Sequence, residues 1–117
     1  MASMVPCRVR EALEDDLPSL LSLYAELDQE GAPVLSEEDA FALLARIQSS
    51  SNQRIYVATV GGEVVGTFAL LTMDNLAHGG APLGLVESVV VNARMRRQGI
   101  GTQMMRFAVA GRRGATS

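Results

Sequence analysis

The chain has 117 residues, the size of one domain, and 48% of them are hydrophobic, which is enough to form a core. A single cysteine and a single histidine exclude an intramolecular disulfide and leave too few ligands for a typical zinc site. No apolar run approaches the ~18 residues of a membrane-spanning helix. We therefore expect one domain over residues 1–117, a cytoplasmic location, no metal, and no membrane as a partner.

Charge is distributed unevenly along the chain. Residues 1–80 carry twelve acidic side chains and four arginines, a balance of −8, whereas residues 81–117 carry six arginines and one acid, a balance of +5. A basic C-terminal third on an acidic chain is typical of a protein that binds a local anionic ligand. Nucleic acid is not an expected partner, because the domain is acidic overall and poor in aromatic residues that could stack on bases.

The N-terminal part is predicted to contain a strand and a helix. Alternating side chains over Cys7–Ala12 indicate a short strand. In the following segment Asp16 can cap a helix, Pro18 fits its first turn and Gly31 can end it. Leucines at helical spacing give this helix one apolar face.

A second helix is predicted to begin after Ser36. The Ser36 hydroxyl can cap it, and Asp39 stands three residues further on, as in a capping box. Its apolar face is assigned to three residues at helical spacing, Phe41, Leu44 and Ile47.

The pattern then changes to the period of two that is typical of strands. Segments 54–60 and 63–73 flank the pair Gly61-Gly62, which accepts the positive φ of a tight hairpin turn. Segment 83–91, "LGLVESVVV", predicts a buried apolar strand broken by one acid. Three methionines are assigned to the core: Met73, Met104 and Met105.

A turn, "NARMRRQGIG", follows this strand, and the last helix is predicted from Thr102 to about Gly111. The order of elements is β-α-α-β-β-β-turn-α. It predicts an α/β fold with a mixed, mainly antiparallel sheet of four strands, two helices before the hairpin and one after the turn.

The turn has the properties of an anion site. Backbone N–H groups from residues 97–102 meet at a helix start, where they have no intrahelical acceptors and lie at the positive end of the helix dipole. Gly99 and Gly101 lack a Cβ, so a bulky anion can approach the backbone closely. Three arginines add charge: Arg94, Arg96 and Arg97. We predict that the turn binds one or two phosphates; the alternative is that the glycines serve only the packing of a helix start.

Two common phosphate-binding motifs are excluded. A Walker loop needs Gly-Lys-Ser/Thr, and the chain has no lysine. The dinucleotide fingerprint needs G-x-G-x-x-G after a first strand and an acid about 20 residues further on, and neither condition is met.

The motif "RRQGIG" (96–101) matches the pattern Q/R-x-x-G-x-G/A of the GCN5-related N-acetyltransferase (GNAT) family. The strand before it resembles that family's fourth strand, and "RVREALEDDLPSLLSLYAELD" is similar to its first strand and first helix. The Gly-Gly hairpin stands where the second and third strands of the family belong. The resemblance covers essentially the whole chain and implies a GNAT-like sheet.

The resemblance implies acetyl-CoA as co-substrate. Amides of the turn would hold its pyrophosphate, the strand segment 89–91 would pair with the pantetheine arm, and the amide near Val91 would polarise the acetyl carbonyl. The cofactor-binding residues so implied are Val89, Val90, Val91, Arg96, Arg97, Gln98, Gly99, Ile100, Gly101 and Thr102.

Glu87 is the candidate catalytic residue, because in the family an acid on this strand draws the proton from the amine, often through water. By strand parity Glu87, Val89 and Val91 are predicted to point to one face. The alternative is an acid that is merely solvated or paired with an arginine. Tyr24 and His78 are weaker candidates, for which a core position and a solvated loop are the simpler interpretations.

The family fold continues after this helix with a fifth strand, parallel to the fourth, and a later tyrosine that protonates the departing thiolate. The segment "GRRGATS" resembles the loop that leads to the fifth strand. We therefore expect this chain to supply one wall of the site and no general acid. Strand four would form an exposed edge, which favours a homodimer or strand-swapped oligomer.

Two functions remain open from the sequence. The first is an N-acetyltransferase that acts on a primary amine of a small molecule or a protein. The second is a catalytically incomplete CoA-binding or oligomerising fragment. A general nucleotide binder is a third possibility, and it would bind ADP without preference for the pantetheine arm.

Overall fold

The computed structural model describes residues 4–28, 33 and 35–116, with side chains up to residue 110. Within these residues the chain forms four strands and three α-helices. In chain order they are β1 (Arg8–Glu11), α1 (Leu17–Leu27), α2 (Glu37–Gln48), β2 (Gln53–Val60), β3 (Glu63–Met73), β4 (Leu83–Val91) and α3 (Ile100–Thr116). The predicted α/β class and order of elements are confirmed.

The strands form one sheet in the order β1-β2-β3-β4, and each neighbouring pair is antiparallel. Gly61 and Gly62 join β2 to β3 with φ values of 57° and 84°, so both adopt the left-handed conformation that a primed hairpin turn requires. β1 and β4 are the edges of the described sheet.

Helices cover the sheet on both sides. α1 and α2 pack on what we term the α1/α2 face, where Leu20 and Leu44 meet Val57 and Ala69. α3 packs on the opposite side, the α3 face, where the fully buried Met104 belongs to the cluster around the sheet. The sheet thus separates two apolar cores, and each α-helix buries one apolar stripe.

Asp16 precedes α1, and Pro18 lies in its first turn as predicted. The Asp16 carboxylate makes no capping bond to α1, so that part of the prediction is wrong. It instead accepts hydrogen bonds from Arg10 Nη1 and Nη2 at 2.7 and 2.9 Å and from the Leu13 N–H at 2.7 Å. A bidentate guanidinium holds a carboxylate more strongly than one backbone amide does. Gly31, the predicted end of the helix, lies outside the described residues.

The predicted cap of α2 is confirmed, since Ser36 Oγ accepts from the Asp39 N–H at 3.1 Å. The predicted apolar face is partly wrong, because Phe41 is 49% exposed whereas Ala40 and Leu44 are buried. The buried stripe starts at residue 40 and continues at i+4, which turns Phe41 away from the sheet.

α3 begins at Ile100, two residues before the predicted start, and runs to Thr116. The prediction of a loop from residue 111 onward is therefore wrong for residues 111–116. A glycine in a helix costs only about 1 kcal/mol relative to alanine, so the glycines of this segment do not end the helix. Along the described chain, no helix combines the length and apolar character needed to cross a membrane.

β4 is less buried than its sequence predicts. Leu83, Leu85 and Val89 are exposed, because they lie on the strand at the edge of the described sheet. The assignment of Met73 to the core is also wrong, since this residue is paired with Leu83 and is itself exposed. Met104, by contrast, is fully buried as predicted.

The Arg10–Asp16 pair should contribute to stability in a pH-dependent way. The Arg10 guanidinium, opposed by burial, holds the pKa of Asp16 below its usual value. A group with a lowered pKa stabilises the fold above its unfolded-state pKa of about 3.9, and that stabilisation is lost as the pH falls through the folded-state value. We expect Asp16→Asn to lower the free energy of unfolding by about 1–3 kcal/mol at pH 7, with a smaller deficit at pH 3. Urea unfolding at both pH values measures this.

The control is Asp15→Asn, which changes an exposed neighbour of the same chemistry. It should leave unfolding nearly unchanged. An equal loss from both substitutions would show that the pair with Arg10 is not the cause.

Candidate active site

β4 carries a bulge at Ser88, whose φ of 51° is in the left-handed region. Glu87 pairs with Ala69 of β3, but Val90 pairs with Thr67, so two residues of β4 stand opposite one residue of β3. A left-handed serine costs about 1 kcal/mol. The register of β4 therefore changes at Ser88, within the strand that leads to the turn, and this change has an energetic cost.

The bulge divides the candidate residues between the two faces of the sheet. Glu87 and Val90 share the α1/α2 face with their partners on β3, and Val90 is buried there. Val91 packs in the cluster with α3, and Val89 lines a cavity against the same helix. The prediction that Glu87, Val89 and Val91 point to one face is wrong, because it assumed an uninterrupted period of two.

The backbone of Val91 points to the outer edge of β4. The next residue, Asn92, donates its N–H to the Val65 carbonyl at 2.7 Å. Because successive residues of a strand direct their backbone groups to opposite sides, the N–H and C=O of Val91 point away from β3. Arg96 Nε lies there and donates to the Val91 carbonyl at 3.3 Å.

Long-range contacts hold the turn in place. Glu26 of α1 accepts a hydrogen bond from the Ala93 N–H at 3.0 Å, and its carboxylate lies 3.8 Å from Arg96. Arg94 forms an ion pair with Glu63 at 2.8 Å. Two of the three arginines that the sequence assigned to an anion are thus already beside carboxylates. Sequence reasoning missed Glu26, since nothing in α1 signals a contact with a turn 67 residues away.

A second contact between distant segments involves Gln103 of α3. Its carboxamide donates to the carbonyls of Val5 and Gly99 at 2.7 and 3.1 Å and accepts from the Cys7 N–H at 3.0 Å. Val5 also donates its N–H to the Gln98 carbonyl at 2.9 Å. The segment before β1 is therefore bound to the turn. In the sequence, the only signal for this role of Gln103 was a polar side chain on the inner face of an apolar helix.

The backbone amides of the turn are available for an anion. Within the described part of the chain, no oxygen accepts a hydrogen bond from the N–H groups of residues 97–102. Arg97 and Gly99 have φ values of 65° and 81°. Gly101 lies in the first turn of α3, and a Cβ added there would meet no atom within 4 Å. An anion can therefore approach this helix start closely at Gly101. The same prediction is wrong for Gly99, because the position of a Cβ there lies within 3.0 Å of three Met4 side-chain atoms, which occupy that space.

An apolar cavity of about 720 Å³ adjoins the turn, between the outer part of β4 and α3. Its lining residues are Val89, Gly101, Thr102, Met105, Arg106, Val109 and Ala110. One end of the cavity lies at the start of α3, where the backbone amides are available. From there the cavity extends along α3. It can therefore take a ligand that joins an anionic group to a long, weakly polar arm.

Glu87 is exposed on the other face, and it has no hydrogen bond or ion pair with another described residue. Tyr24 of α1 lies nearby against Thr67, and burial raises the pKa of its hydroxyl while the Thr67 hydroxyl acts in the opposite direction. Tyr24 is thus protonated at neutral pH and can donate a hydrogen bond. His78 is exposed in the loop before β4.

The family model described as "Acetyltransferase (GNAT) family" matches residues 15–115. The chain belongs to the GNAT family. This membership confirms the resemblance seen in the motif "RRQGIG" and agrees with an anion-binding turn beside an apolar cavity. The GNAT acetyltransferases use acetyl-CoA as their co-substrate.

Individual relatives are similar over most of the chain. Glucosamine 6-phosphate N-acetyltransferase of Trypanosoma brucei brucei is 28% identical over 105 residues, which are 90% of this chain and 71% of the relative. A protein of Agrobacterium tumefaciens str. C58, provisionally named an acetyltransferase, is 34% identical with a TM-score of 0.84, covering 92% of this chain and 74% of that chain. Glucosamine-6-phosphate N-acetyltransferase of Arabidopsis thaliana, at 18% identity, has a TM-score of 0.82 over 95% of this chain and 77% of its own, a likeness of fold alone.

The bulge predicts an unusual order of stability among variants at Ser88. We expect Ser88→Gly to raise the free energy of unfolding by up to about 1 kcal/mol, because glycine adopts the left-handed conformation without strain. Ser88→Val should lower it by about 1–2 kcal/mol, since a β-branched residue is strained there. Urea unfolding of the three proteins measures the order. Thr72, an ordinary position of β3, is the control: there the valine variant should be more stable than the glycine variant. If the valine variant is also the more stable one at Ser88, the bulge is not the cause.

The two glycines of the turn should respond differently to alanine. A Cβ at Gly99 would lie 2.7 Å from Met4 Cγ, and Gly99 itself has a φ of 81°, which alanine adopts only with strain. For both reasons we expect Gly99→Ala to lower the free energy of unfolding by about 1–2 kcal/mol. Gly101→Ala should cost nothing, because the space is open and alanine favours a helix. Thermal unfolding compares them, and Met4→Ala should restore only the part of the Gly99→Ala loss that arises from contact. Equal effects at both glycines would contradict this geometry.

Proposed function

We propose that this chain is an N-acetyltransferase that transfers the acetyl group of acetyl-CoA to a primary amine of a small molecule. One observation carries the proposal. A single bulged strand has a turn with available backbone amides and an apolar cavity on one side of the sheet, and on the other side Glu87, a carboxylate with no partner among the described residues. The two reactants could thus approach β4 from opposite faces.

The residues present fit acetyl-CoA, which supplies the acetyl group as a reactive thioester. The available amides of residues 97–102 and the side chain of Arg97 would hold the pyrophosphate at the start of α3. The cavity beside Val89 would receive the weakly polar pantetheine arm. The outward N–H of Val91 would donate a hydrogen bond to the acetyl carbonyl oxygen, where negative charge develops.

Glu87 would act as the base on the acceptor side. Transfer forms a C–N bond and breaks a C–S bond; the nitrogen loses a proton and the sulfur gains one. Glu87 faces the α1/α2 side and has no described partner, so it can accept the proton directly or through water. Tyr24 would orient the acceptor as a neutral hydrogen-bond donor rather than as a base. The protein itself forms no covalent bond with either reactant.

The trypanosomal relative is named for the acetylation of an amino sugar phosphate. This name supports a small-molecule amine as the acceptor of the present chain. A second candidate function is supported by the exposure of Val89 and Val109 in the cavity wall. With one side open, the chain would bind CoA without turnover, or would complete the site as a homodimer through the edge of β4. A cytoplasmic location stays a prediction.

Turnover separates the two functions. With acetyl-CoA and a panel of primary amines, we expect release of free thiol, and Glu87→Gln should lower kcat about tenfold or more because the base is lost. Acetyl-CoA binding should be unchanged: at 100 times its Kd the ligand adds about 2.7 kcal/mol of stability to both proteins, measured as a rise in Tm.

The matched control is Asp74→Asn, which alters an exposed carboxylate at the end of β3. It should change neither kcat nor the rise in Tm. ADP should raise the Tm less than acetyl-CoA does, since it lacks the pantetheine arm. Binding without thiol release from any amine would favour the second function, and a fully active Glu87→Gln would remove Glu87 from the mechanism.

A further inference from the structure

The α1/α2 face is uncovered next to Glu87. Four apolar side chains at this end of the sheet form what we term the apolar strip: Leu71, Met73, Leu83 and Leu85. Met73, Leu83 and Leu85 are 40%, 47% and 42% exposed, and Leu71 is half-buried. Exposed leucines that lie together on a sheet face mark a binding surface more often than isolated ones do.

The apolar strip is continuous with Glu87. Leu71 pairs with Leu85 and Met73 pairs with Leu83, in unbroken register with the pair Ala69–Glu87. All these side chains therefore point to the same face. Leu85 precedes Glu87 by two residues, which places the two side chains about 7 Å apart along the strand. A small molecule bound at Glu87 would reach the strip.

Among the described residues, no arginine lies beside the strip. Arg10 lies on β1, three strands or about 14 Å from β4, and is paired with Asp16. Arg54 is paired with Leu70 in the sheet register, so it points to the α3 face, and it forms an ion pair with Glu11. Residues 29–34, between α1 and α2, include no arginine or lysine.

The remaining described arginines also lie elsewhere: Arg8 is on β1, Arg97 is in the turn and Arg106 lines the cavity beside α3. Arg46 is exposed on α2 two residues after the buried Leu44, a rotation of about 200° that turns it from the sheet. Arg94 and Arg96 lie beyond the opposite end of β4 and stand beside carboxylates. Among the described residues, a phosphate on the strip would therefore meet no arginine, and His78 in the loop that joins Met73 to Leu83 is the one histidine nearby; the ammonium form of an amine would meet Glu87.

We infer that the acceptor is a small primary amine that carries an apolar group, and that a phosphorylated amino sugar is a poor acceptor. The amine would lie at Glu87 and the apolar group on the strip. This inference rests on the proposed function and names the substrate class for the same site. It separates the chain from the named activity of its trypanosomal relative.

Thiol release from acetyl-CoA with 2-phenylethylamine, hexylamine, glucosamine and glucosamine 6-phosphate tests the inference. We expect kcat/KM for the two apolar amines to exceed that for glucosamine 6-phosphate at least tenfold. Leu85→Ser should raise the KM for 2-phenylethylamine about tenfold with little change in kcat, because uniform binding to the strip is lost. Leu76→Ser is the control, since Leu76 is fully exposed in the loop outside the strip.

The outcomes separate the inference from the proposed function. Higher kcat/KM for glucosamine 6-phosphate would overturn the inference and leave the acetyltransferase proposal intact. No thiol release from any of the four amines, with the acetyl-CoA-dependent rise in Tm retained, would overturn both. If Leu85→Ser converts a dimer to a monomer in light scattering and leaves the KM unchanged, the strip is an interface between two copies and the inference is wrong.

Discussion

The bulge at Ser88 is the constraint on which the arrangement of the site depends. An uninterrupted β4 would place Glu87, Val89 and Val91 on one face, and the carboxylate would then lie beside the apolar wall of α3. One additional residue sends Val89 and Val91 to the α3 face and leaves Glu87 on the α1/α2 face. The strained serine costs about 1 kcal/mol, and the gain is a strand with different chemistry on its two sides.

Residues far away in sequence then hold the turn beside that strand. Glu26 reaches it from α1, and Gln103 ties the segment before β1 to the start of α3. Gln103 satisfies two carbonyl groups and Glu26 lies beside Arg96, while the amides of residues 97–102 have no described acceptor. The structure thus keeps its anion-binding groups apart from the groups that stabilise the turn, which is the preorganisation that electrostatic binding needs.

The proposed cofactor groups and the proposed acceptor groups of this family member lie on opposite sides of the sheet. The turn with the motif "RRQGIG" and the apolar cavity lie together at the start of α3. The α1/α2 side carries Glu87 next to apolar residues, and Arg10, on the far strand β1, is paired with Asp16. Because the proposed cofactor groups and the proposed acceptor groups lie on different faces, the acceptor side can change without loss of the fold or the turn.

By itself the sequence determined the family, the order of elements and the local turns. The hairpin at Gly61-Gly62 and the cap at Ser36 follow from chemistry confined to a few residues, and such signals can be interpreted without the fold. Only the tertiary structure decided the bulge, because "ESVVV" has no glycine or proline to mark it and register depends on β3. It also turned Asp16 toward Arg10, exposed Phe41 and extended α3. Each of these depends on a partner distant in sequence or on a packing choice between neighbouring residues, which local propensity does not determine.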